Sequence, residues 1–307
     1  MAISSLEHRV LPAEAGRIDR IVQSMTNLSR ARVRGLFEHG CVKLNGEPCL
    51  DSGFCATSDA LVGIRYDPHH HYKERSHHRS NRFRILHEDS HLIVVEKSAG
   101  LLTVPTVRRE KETLVHALDL YLQRGSKRVH AAVVHRLDRD TSGLLVFGKS
   151  DSMAQRLKSQ FEDRKPVREY RAIVAGTLSK PNGSFRTFLS TDEDLNQRST
   201  TDTAKGKLAV THYTVLKKLR GATWVGVKLE TGRRNQIRVH FAEIGHPVLG
   251  DRRYEPQLAQ HPAWKHPWLA LHAMRLGFTH PVTGKKLLFE SPPGMEFEVF
   301  LQSQSMG

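Results

Sequence analysis

Hydrophobic and polar positions divide the chain into three stretches. Residues 8–65 show helix and strand patterns, residues 66–82 show neither, and residues 83–301 return to regular apolar periodicity. A polar stretch without apolar periodicity cannot contribute much to a hydrophobic core. We therefore predict a small α/β module at 8–65, a His- and Arg-rich linker at 66–82 and a larger domain at 83–301.

The first stretch predicts two short helices followed by a hairpin. Residues 17–22 group their apolar positions as a short helix does. Ser29 is suited to cap a second helix, whose apolar face would be Val33, Leu36 and Phe37. Asn45-Gly46 predicts a tight turn between two strands.

Basic residues of this module suggest contact with a polyanion. Arg30 and Arg34 are four residues apart and share a face of the second predicted helix, and Lys43 lies in the strand before the hairpin turn. A basic helix face beside a hairpin suits a phosphate backbone. An ordinary solvated helix face is the alternative on charge alone.

The third stretch predicts strands interleaved with few helices. Apolar and alternating segments predict strands at 83–86, 92–95, 144–147, 168–176, 211–219 and 224–229. Helices are predicted from Thr113, from Asp151 and after Gly232. The last of these would turn Ile237, Phe241 and Ile244 to the core, and the polar residues 190–207 predict a long exposed loop. The pattern favours an α+β domain with a mixed, largely antiparallel sheet and flanking helices.

Charge and cysteine content narrow the class of partner. The net charge is +15, which makes nucleic acid the favoured partner and a membrane surface the weaker one. There is no apolar run long enough to span a membrane, and no secretory signal pattern. Three cysteines without close pairing argue against a disulfide scaffold or zinc ribbon, so we expect a cytoplasmic protein. The linker histidines match no recognisable metal-site spacing, and we predict no metal.

The candidate chemistry centres on one carboxylate. Asp138 lies between Arg136 and Arg139, and the turn Thr141-Ser142-Gly143 leads into an apolar run that predicts a buried strand. A polar turn between strands can hold a reactive side chain on a rigid frame. An ion pair on a loop is the simpler alternative, because such pairs are common.

Three motifs in order resemble one enzyme family. The segment 135–145 closely resembles the signature of RluA-type pseudouridine synthases, residues 169–176 resemble the family's tyrosine motif, and residues 231–251 resemble its third motif. The run 17–64 also resembles the alpha-L RNA-binding module of ribosomal proteins and RNA-modifying enzymes, although Asp59-Ala60 stands where that module usually has Gly-Asp.

The resemblance implies a fold, a reaction and a set of site residues. It implies an enzyme that isomerises specific uridines to pseudouridine in structured RNA, ribosomal RNA ahead of transfer RNA, without a cofactor. Asp138 would be the catalytic aspartate, Tyr170 would stack on the uracil and handle the proton lost from its carbon 5, and Arg238 would pair with Asp138 and favour its ionised form. Residues expected to contact RNA are Arg136, Arg139, Arg30, Arg34, Lys43 and Arg233. Arg139 is a candidate to fill the space that a flipped base leaves. The absence of a coiled-coil seam suggests a monomer.

The sequence departs from the family pattern at one position, and two other interpretations of its function stay open. Asn235 stands where the family usually has histidine, which predicts altered contacts around Arg238. A non-catalytic RNA-binding or assembly factor could keep the same fold. A nuclease could use Asp138 and Asp140 as metal ligands, although nearby arginines would compete with a divalent cation.

Overall fold

The chain divides into two units, Met1–His77 and His78–Gly307. The structure is a computed structural model, and it describes residues 3–49, 52–68, 82–106, 110, 112–123, 129–193 and 196–305. Most of the predicted linker, residues 69–81, lies outside the described residues.

The first unit packs two helices against short antiparallel strands. Its elements are β1 (Ser4–Arg9), β2 (Gly16–Arg17), α1 (Ile18–Thr26), α2 (Arg30–Glu38), β3 (Val42–Leu44), β4 (Glu47–Pro48), β5 (Cys55–Ala56) and β6 (Leu61–Tyr66). The strands form one sheet in the order β1-β6-β3-β4 and a small pair, β2-β5. The first strand begins at Ser4, a few residues before the predicted start of the module at residue 8.

The local signals in this unit are confirmed. The Ser29 hydroxyl accepts a hydrogen bond from the backbone N–H of Arg32 at 3.5 Å, so Ser29 does cap α2. Val33, Leu36 and Phe37 are all buried. Asn45 and Gly46 have φ values of 52° and 89°, the left-handed conformation that a two-residue hairpin turn requires.

The second unit is built on one large sheet. Its strands are β7 (Phe83–Glu88), β8 (Leu92–Lys97), β9 (Ala132–Val133), β10 (Ser142–Gly148), β11 (Val167–Ala175), β12 (Asn182–Thr191), β13 (Gln197–Thr200), β14 (Lys207–Leu219), β15 (Ala222–Leu229), β16 (Leu271–Thr279) and β17 (Lys286–Glu290). Its helices are α3 (Leu114–Leu122), α4 (Asp151–Glu162), α5 (Gln236–Glu243) and α6 (Met295–Ser303).

The sheet is mixed and mostly antiparallel. Its order is β13-β12-β14-β15-β11-β16-β10-β8-β7, with β17 beside β16 and β9 beside β10. Within the described strands, β10 and β16 form the parallel pair, and the other paired strands are antiparallel. The predicted α+β class, with a largely antiparallel sheet and flanking helices, is confirmed.

Gly143 lets the parallel strands approach closely beside the turn that carries Asp138. Its φ is +114°, and a Cβ at this position would lie closer than 3.0 Å to the backbone N, C and O atoms of Ala273 on β16. Only glycine fits both the conformation and the space. The close contact fixes the start of β10 and therefore the position of the residues just before it.

Two predictions about elements are wrong. The predicted loop at 190–207 contains the end of β12, the strand β13 and the start of β14. Its polar residues have no apolar alternation to reveal a strand, yet backbone hydrogen bonds pair β12 with β13 and β14. Ile244 does not face the core: it is 44% exposed because α5 ends at Glu243.

Among the helices that the structure describes, none has both the length and the apolar character to cross a membrane.

Candidate active site

A cavity of about 150 Å³ in the second unit collects five of the residues predicted from the motifs. Its lining includes Arg136, Asp138, Tyr170, Arg233 and Arg238. The aspartate comes from the turn before β10, the tyrosine from β11 and Arg238 from α5. Segments far apart in sequence therefore meet at one point because β10, β16 and β11 are neighbours in the sheet.

Asp138 and Arg238 form an ion pair in this cavity. Nη1 of Arg238 donates to Oδ2 of Asp138 at 3.1 Å. The side chain of Asp138 is 22% exposed and that of Arg238 is 12% exposed. The carboxylate is thus partly shielded but accessible from the cavity. The guanidinium places a positive charge directly beside the carboxylate.

Asp251 holds Arg238 from its other side. Nε and Nη2 of Arg238 donate to the two carboxylate oxygens of Asp251 at 2.7 and 2.8 Å, and the Asp251 side chain is fully buried. Burial opposes the charge on Arg238, but hydrogen bonds and charge from Asp251, with Asp138, raise the pKa of Arg238 above its usual value. A bidentate pair also fixes the plane of the guanidinium, so Asp251 orients the group that holds Asp138.

Asn235 supplies contacts around Arg238 at the position where the family usually has histidine. Its Oδ1 accepts from Nη1 of Arg238 at 3.2 Å, and its Nδ2 donates to the Tyr254 hydroxyl at 2.9 Å. Asn235 has a φ of 55°, a conformation that asparagine tolerates better than most residues. The Tyr254 ring lies 5.1 Å from the Arg238 guanidinium, in a cation–π contact. These contacts help to orient Arg238.

Lys97 anchors the segment that carries Asp138. This lysine is fully buried, and its Nζ donates to the carbonyl oxygens of Ser98, Leu101 and Arg139 at 2.7 to 2.9 Å. Burial lowers the pKa of Lys97 to about 7, against the opposing charges of Asp138 and Asp140. Three carbonyl acceptors match the three hydrogens of an ammonium group, so Lys97 ties the turn that carries Asp138 to the end of β8.

Thr103 fixes the same segment on the other side of the aspartate. Its hydroxyl donates to the Leu137 carbonyl at 2.8 Å and accepts from the Leu137 N–H at 3.2 Å. Both residues are buried. The residues on each side of Asp138 are therefore held by buried hydrogen bonds.

Tyr170 is 9% exposed and lines the cavity with Asp138. Burial raises the pKa of the Tyr170 hydroxyl, and the charge of Asp138 adds to this while Arg168 opposes it. The phenol is therefore protonated at neutral pH. An aromatic ring with a neutral hydroxyl is suited to stack on a base and to donate a hydrogen bond.

The remaining predicted RNA contacts, Arg139 and three residues of the first unit, do not line this cavity. Arg139 is 54% exposed and lines none of the cavities described here; its Nη2 lies 3.8 Å from a carboxylate oxygen of Glu110. In the first unit, Arg30 and Arg34 line a cavity of about 200 Å³ together with two further arginines, Arg17 and Arg20. Lys43 is exposed on β3 and does not line that cavity.

The sequence motifs missed several residues of the site. Asp251 lay within the third motif but received no role, while Lys97, Thr103 and Tyr254 lay outside the residues singled out. Asp251, Lys97 and Thr103 are buried charged or polar side chains, and Tyr254 is half-buried; sequence alone does not show this burial. Gly250-Asp251, at the end of the third motif, was the available signal for Asp251.

The metal-dependent nuclease reading finds little support in this geometry. Among the residues that line the catalytic cavity, Asp138 is the single carboxylate, and Arg238 occupies one of its oxygens. No cluster of three His, Cys, Asp or Glu residues suited to a metal occurs in the described part of the chain.

An ion-paired aspartate and a buried tyrosine line a basic cavity of this mixed sheet, and comparison with known proteins identifies the class as RNA pseudouridine synthases. The family described as RNA pseudouridylate synthase matches residues 91–243. The chain is 34% identical to ribosomal large subunit pseudouridine synthase D of Zymomonas mobilis subsp. mobilis, covering 93% of each protein. It is 35% identical to the enzyme of the same name from Nitrosomonas europaea, covering 94% of this chain and 84% of the relative.

A solved structure shows the same fold. Human RNA Pseudouridylate Synthase Domain Containing 4 aligns with a TM-score of 0.59 at 24% identity, over 71% of this chain and 91% of that chain. The protein belongs to the RluA-type pseudouridine synthase family, whose members are isomerases that convert uridine to pseudouridine in RNA. These comparisons do not test the N-terminal resemblance to the alpha-L module, which stays a prediction.

Proposed function

We propose that this protein isomerises specific uridines of ribosomal RNA to pseudouridine, with Asp138 as the catalytic carboxylate. The observation that carries the proposal is the contact between Asp138 and Arg238 in a cavity that Tyr170 also lines. Support for ribosomal RNA comes from the relatives in Zymomonas mobilis and Nitrosomonas europaea, which are named for the large ribosomal subunit.

The reaction needs a carboxylate, a base platform and a dry, charged pocket. The bond between the ribose C1′ and N1 of uracil breaks, the base turns, and C1′ bonds to C5 of uracil. N1 gains a proton and C5 loses one, so the product is an isomer and no oxidant or reductant takes part. An ionised Asp138 can act as a nucleophile at the sugar or assist removal of a proton.

Arg238 keeps Asp138 ready for this step. It is fixed by Asp251, so its remaining Nη1 points to Asp138 without the need to reorganise. Preorganised charge of this kind stabilises charge that changes during a reaction. Tyr170 stacks on the flipped base. Its raised pKa keeps the hydroxyl protonated in the free enzyme, so in that form it cannot take up the proton lost from C5, the second role expected for it.

The first unit binds RNA in this proposal. Its support is the arginine-lined cavity that includes Arg30 and Arg34, together with the net charge of +15. Lys43, Arg136, Arg139 and Arg233 add contacts to the RNA. A cytoplasmic location and a monomeric state, both expected from the sequence, complete the proposal.

Mapping of pseudouridines in ribosomal RNA tests the substrate. RNA from cells with and without the gene is compared, and the gene is restored as wild type or as Asp138→Asn. The expected result is one or more large-subunit positions that lose pseudouridine without the gene and regain it with the wild type only. An unchanged map of ribosomal RNA would remove ribosomal RNA as the substrate.

The same experiment separates the enzyme from a non-catalytic RNA-binding factor on the same fold. A binding factor would give the same pseudouridine map whether the gene is absent, restored as wild type or restored as Asp138→Asn. The proposal predicts that the Asp138→Asn protein accumulates at wild-type levels but restores no pseudouridine.

A further inference from the structure

A second cavity adjoins the catalytic one. It has a volume of about 490 Å³ and shares Arg136, Tyr170, Leu229, Gly232 and Arg233 with the lining of the catalytic cavity. The two cavities are neighbours, and the side chain of Tyr170 lines both. The isomerisation chemistry at Asp138 gives the second cavity no role.

Positive charge dominates the wall of this second cavity. Its charged lining residues are five cations and one carboxylate: Arg136, Lys158, Arg164, Arg168, Arg233 and Glu162. A cleft lined by one sign of charge concentrates ligands of the opposite sign. The cavity is therefore built for an anion.

Arg168 is the unusual member of this set because it is buried without a counter-ion. It is 7% exposed, its Nη2 donates to the Glu230 carbonyl at 2.8 Å, and its Nε has no hydrogen-bond partner. No carboxylate in the described part of the chain forms an ion pair with it. Burial lowers the pKa of Arg168, with Arg233 adding to this and Tyr170 opposing it. An unpaired buried charge is unfavourable until an anion compensates it.

The guanidinium is also held in a fixed place. It lies 5.5 Å from the centre of the Phe161 ring, and a Cβ on Gly232 would come within 2.5 Å of its Nη1. Glycine at 232 thus leaves the space that the guanidinium occupies. Arg168 and Tyr170 are two residues apart on β11 and both are buried, so the cation sits beside the base platform.

We propose that the second cavity is a phosphate subsite in which Arg168 binds the backbone phosphodiester next to the target uridine. This rests on the proposed function, since RNA carries a phosphodiester on each side of the base that enters the catalytic cavity. A planar guanidinium matches the oxygens of a phosphate in a bidentate contact. Lys158 and Arg164 attract the flanking backbone, and Arg168 fixes the register of the target nucleotide.

Salt-dependent kinetics test this assignment. Tritium release from RNA labelled at C5 of uracil is measured across salt concentrations for wild type, Arg168→Gln and Arg168→Lys. Arg168→Gln is expected to raise KM about tenfold to a hundredfold with little change in kcat, as for a lost hydrogen bond to a charged group. Its plot of log KM against log salt should be shallower by about 0.7 to 0.9, the value for one phosphate contact. Arg168→Lys should keep most of that slope because it keeps the charge.

Lys180→Gln is the matched control. Lys180 is exposed in the turn between β11 and β12 and lines neither cavity, so the same loss of charge there should leave KM and the salt slope at wild-type values.

A change on the RNA side avoids any effect on folding. Two RNAs carry a neutral methylphosphonate on the 5′ or on the 3′ side of the target uridine. One of them is expected to raise KM for wild type by the factor that Arg168→Gln causes, and Arg168→Gln should be insensitive to that replacement.

Three results would overturn the phosphate subsite while the wild type stays active. The first is that Arg168→Gln has the KM and the salt slope of the wild type. The second is that Arg168→Gln lowers kcat without raising KM. The third is that wild type and Arg168→Gln respond equally to both modified RNAs. Absence of tritium release by the wild type from every RNA would instead overturn the proposed function.

Discussion

Arg238 contacts two carboxylates that differ in exposure. The buried carboxylate is suited to a structural role, and the accessible one to a chemical role. Asp251 is fully buried and bidentate, whereas Asp138 is 22% exposed and contacts one guanidinium nitrogen. Removing one partner of a buried ion pair is costly, while an accessible pair contributes little to stability.

Replacing each carboxylate by its amide should therefore give opposite balances of stability and activity. Asp251→Asn is expected to lower the free energy of unfolding by about 3 kcal/mol, because it leaves Arg238 partly unpaired in a buried site. Asp138→Asn should change it by less than about 1 kcal/mol and abolish activity. Urea unfolding and tritium release check both variants. Equal stability of Asp251→Asn and wild type would show that Asp251 does not support Arg238 in this way.

The residues that the sequence did not identify share one property. Asp138, Tyr170 and Arg238 stand in short motifs, so resemblance was enough to single them out. Lys97 and Arg168 are cations within or beside strands, where a sequence pattern suggests solvent exposure, yet both are buried. Each of them bonds a carbonyl from a distant segment, Arg139 for Lys97 and Glu230 for Arg168, which one-dimensional periodicity cannot report.

His240, on α5 two residues after Arg238, makes the stability of the catalytic unit dependent on pH. Its ring is fully buried, and its two nitrogens hydrogen-bond to the hydroxyls of Thr187 and Thr211 at 3.0 and 2.9 Å. Burial lowers the pKa of His240 to about 4. The unfolded chain therefore takes up this proton near pH 6.5, before the folded protein does.

The sign of this linkage predicts a loss of stability as the pH falls from about 6.5 to 4. His240 can lower the free energy of unfolding by at most about 3 kcal/mol, and the full decrease is reached below its pKa in the folded protein. His240→Gln should show a smaller decrease over the same interval. The check is urea unfolding of both proteins at pH 7, 5.5 and 4. Identical pH slopes would mean that His240 does not titrate as described.

At the scale of elements, the parallel contact between β10 and β16 sets the position of the catalytic turn. Gly143 is expected to be irreplaceable there: Gly143→Ala should lower stability by about 3 kcal/mol or more, because its Cβ would overlap backbone atoms of Ala273. Gly284→Ala is the control. Gly284 also has a positive φ of 71° but open space around it, so about 1 kcal/mol is expected. Similar thermal unfolding of the two variants would contradict the role of close packing.

Elements were predictable where a local signal fixed them. The Ser29 cap and the Asn45-Gly46 turn need only neighbouring residues, and both are confirmed. The β12–β13 hairpin was missed because its pairing, such as Phe188 with Thr200, depends on backbone hydrogen bonds between polar strands. Asn235 could be named as a departure, but its contacts with Arg238 and Tyr254 required the fold.

For the whole molecule, the net charge of +15 should appear as a salt-dependent affinity for RNA. The arginine-lined cavity of the first unit is expected to contribute directly to this affinity. Arg30→Gln and Arg34→Gln should each weaken RNA binding across sequences and reduce the salt slope by about 1. Filter binding at several salt concentrations measures this. Arg65→Gln, an exposed site on β6 outside that cavity, is the control. If the salt slopes of Arg30→Gln and Arg34→Gln equal that of Arg65→Gln, this cavity is not part of the RNA interface.

The role of Asp138 as the catalytic carboxylate is tested most directly by release of tritium from RNA labelled at C5 of uracil. Purified wild type, Asp138→Asn and Asp138→Glu are compared on ribosomal RNA that lacks the modification, with equal RNA binding verified for all three. The prediction is stoichiometric release by the wild type and none by Asp138→Asn or by Asp138→Glu, whose longer side chain misplaces the carboxylate. Release by Asp138→Asn at the wild-type rate would contradict the central claim.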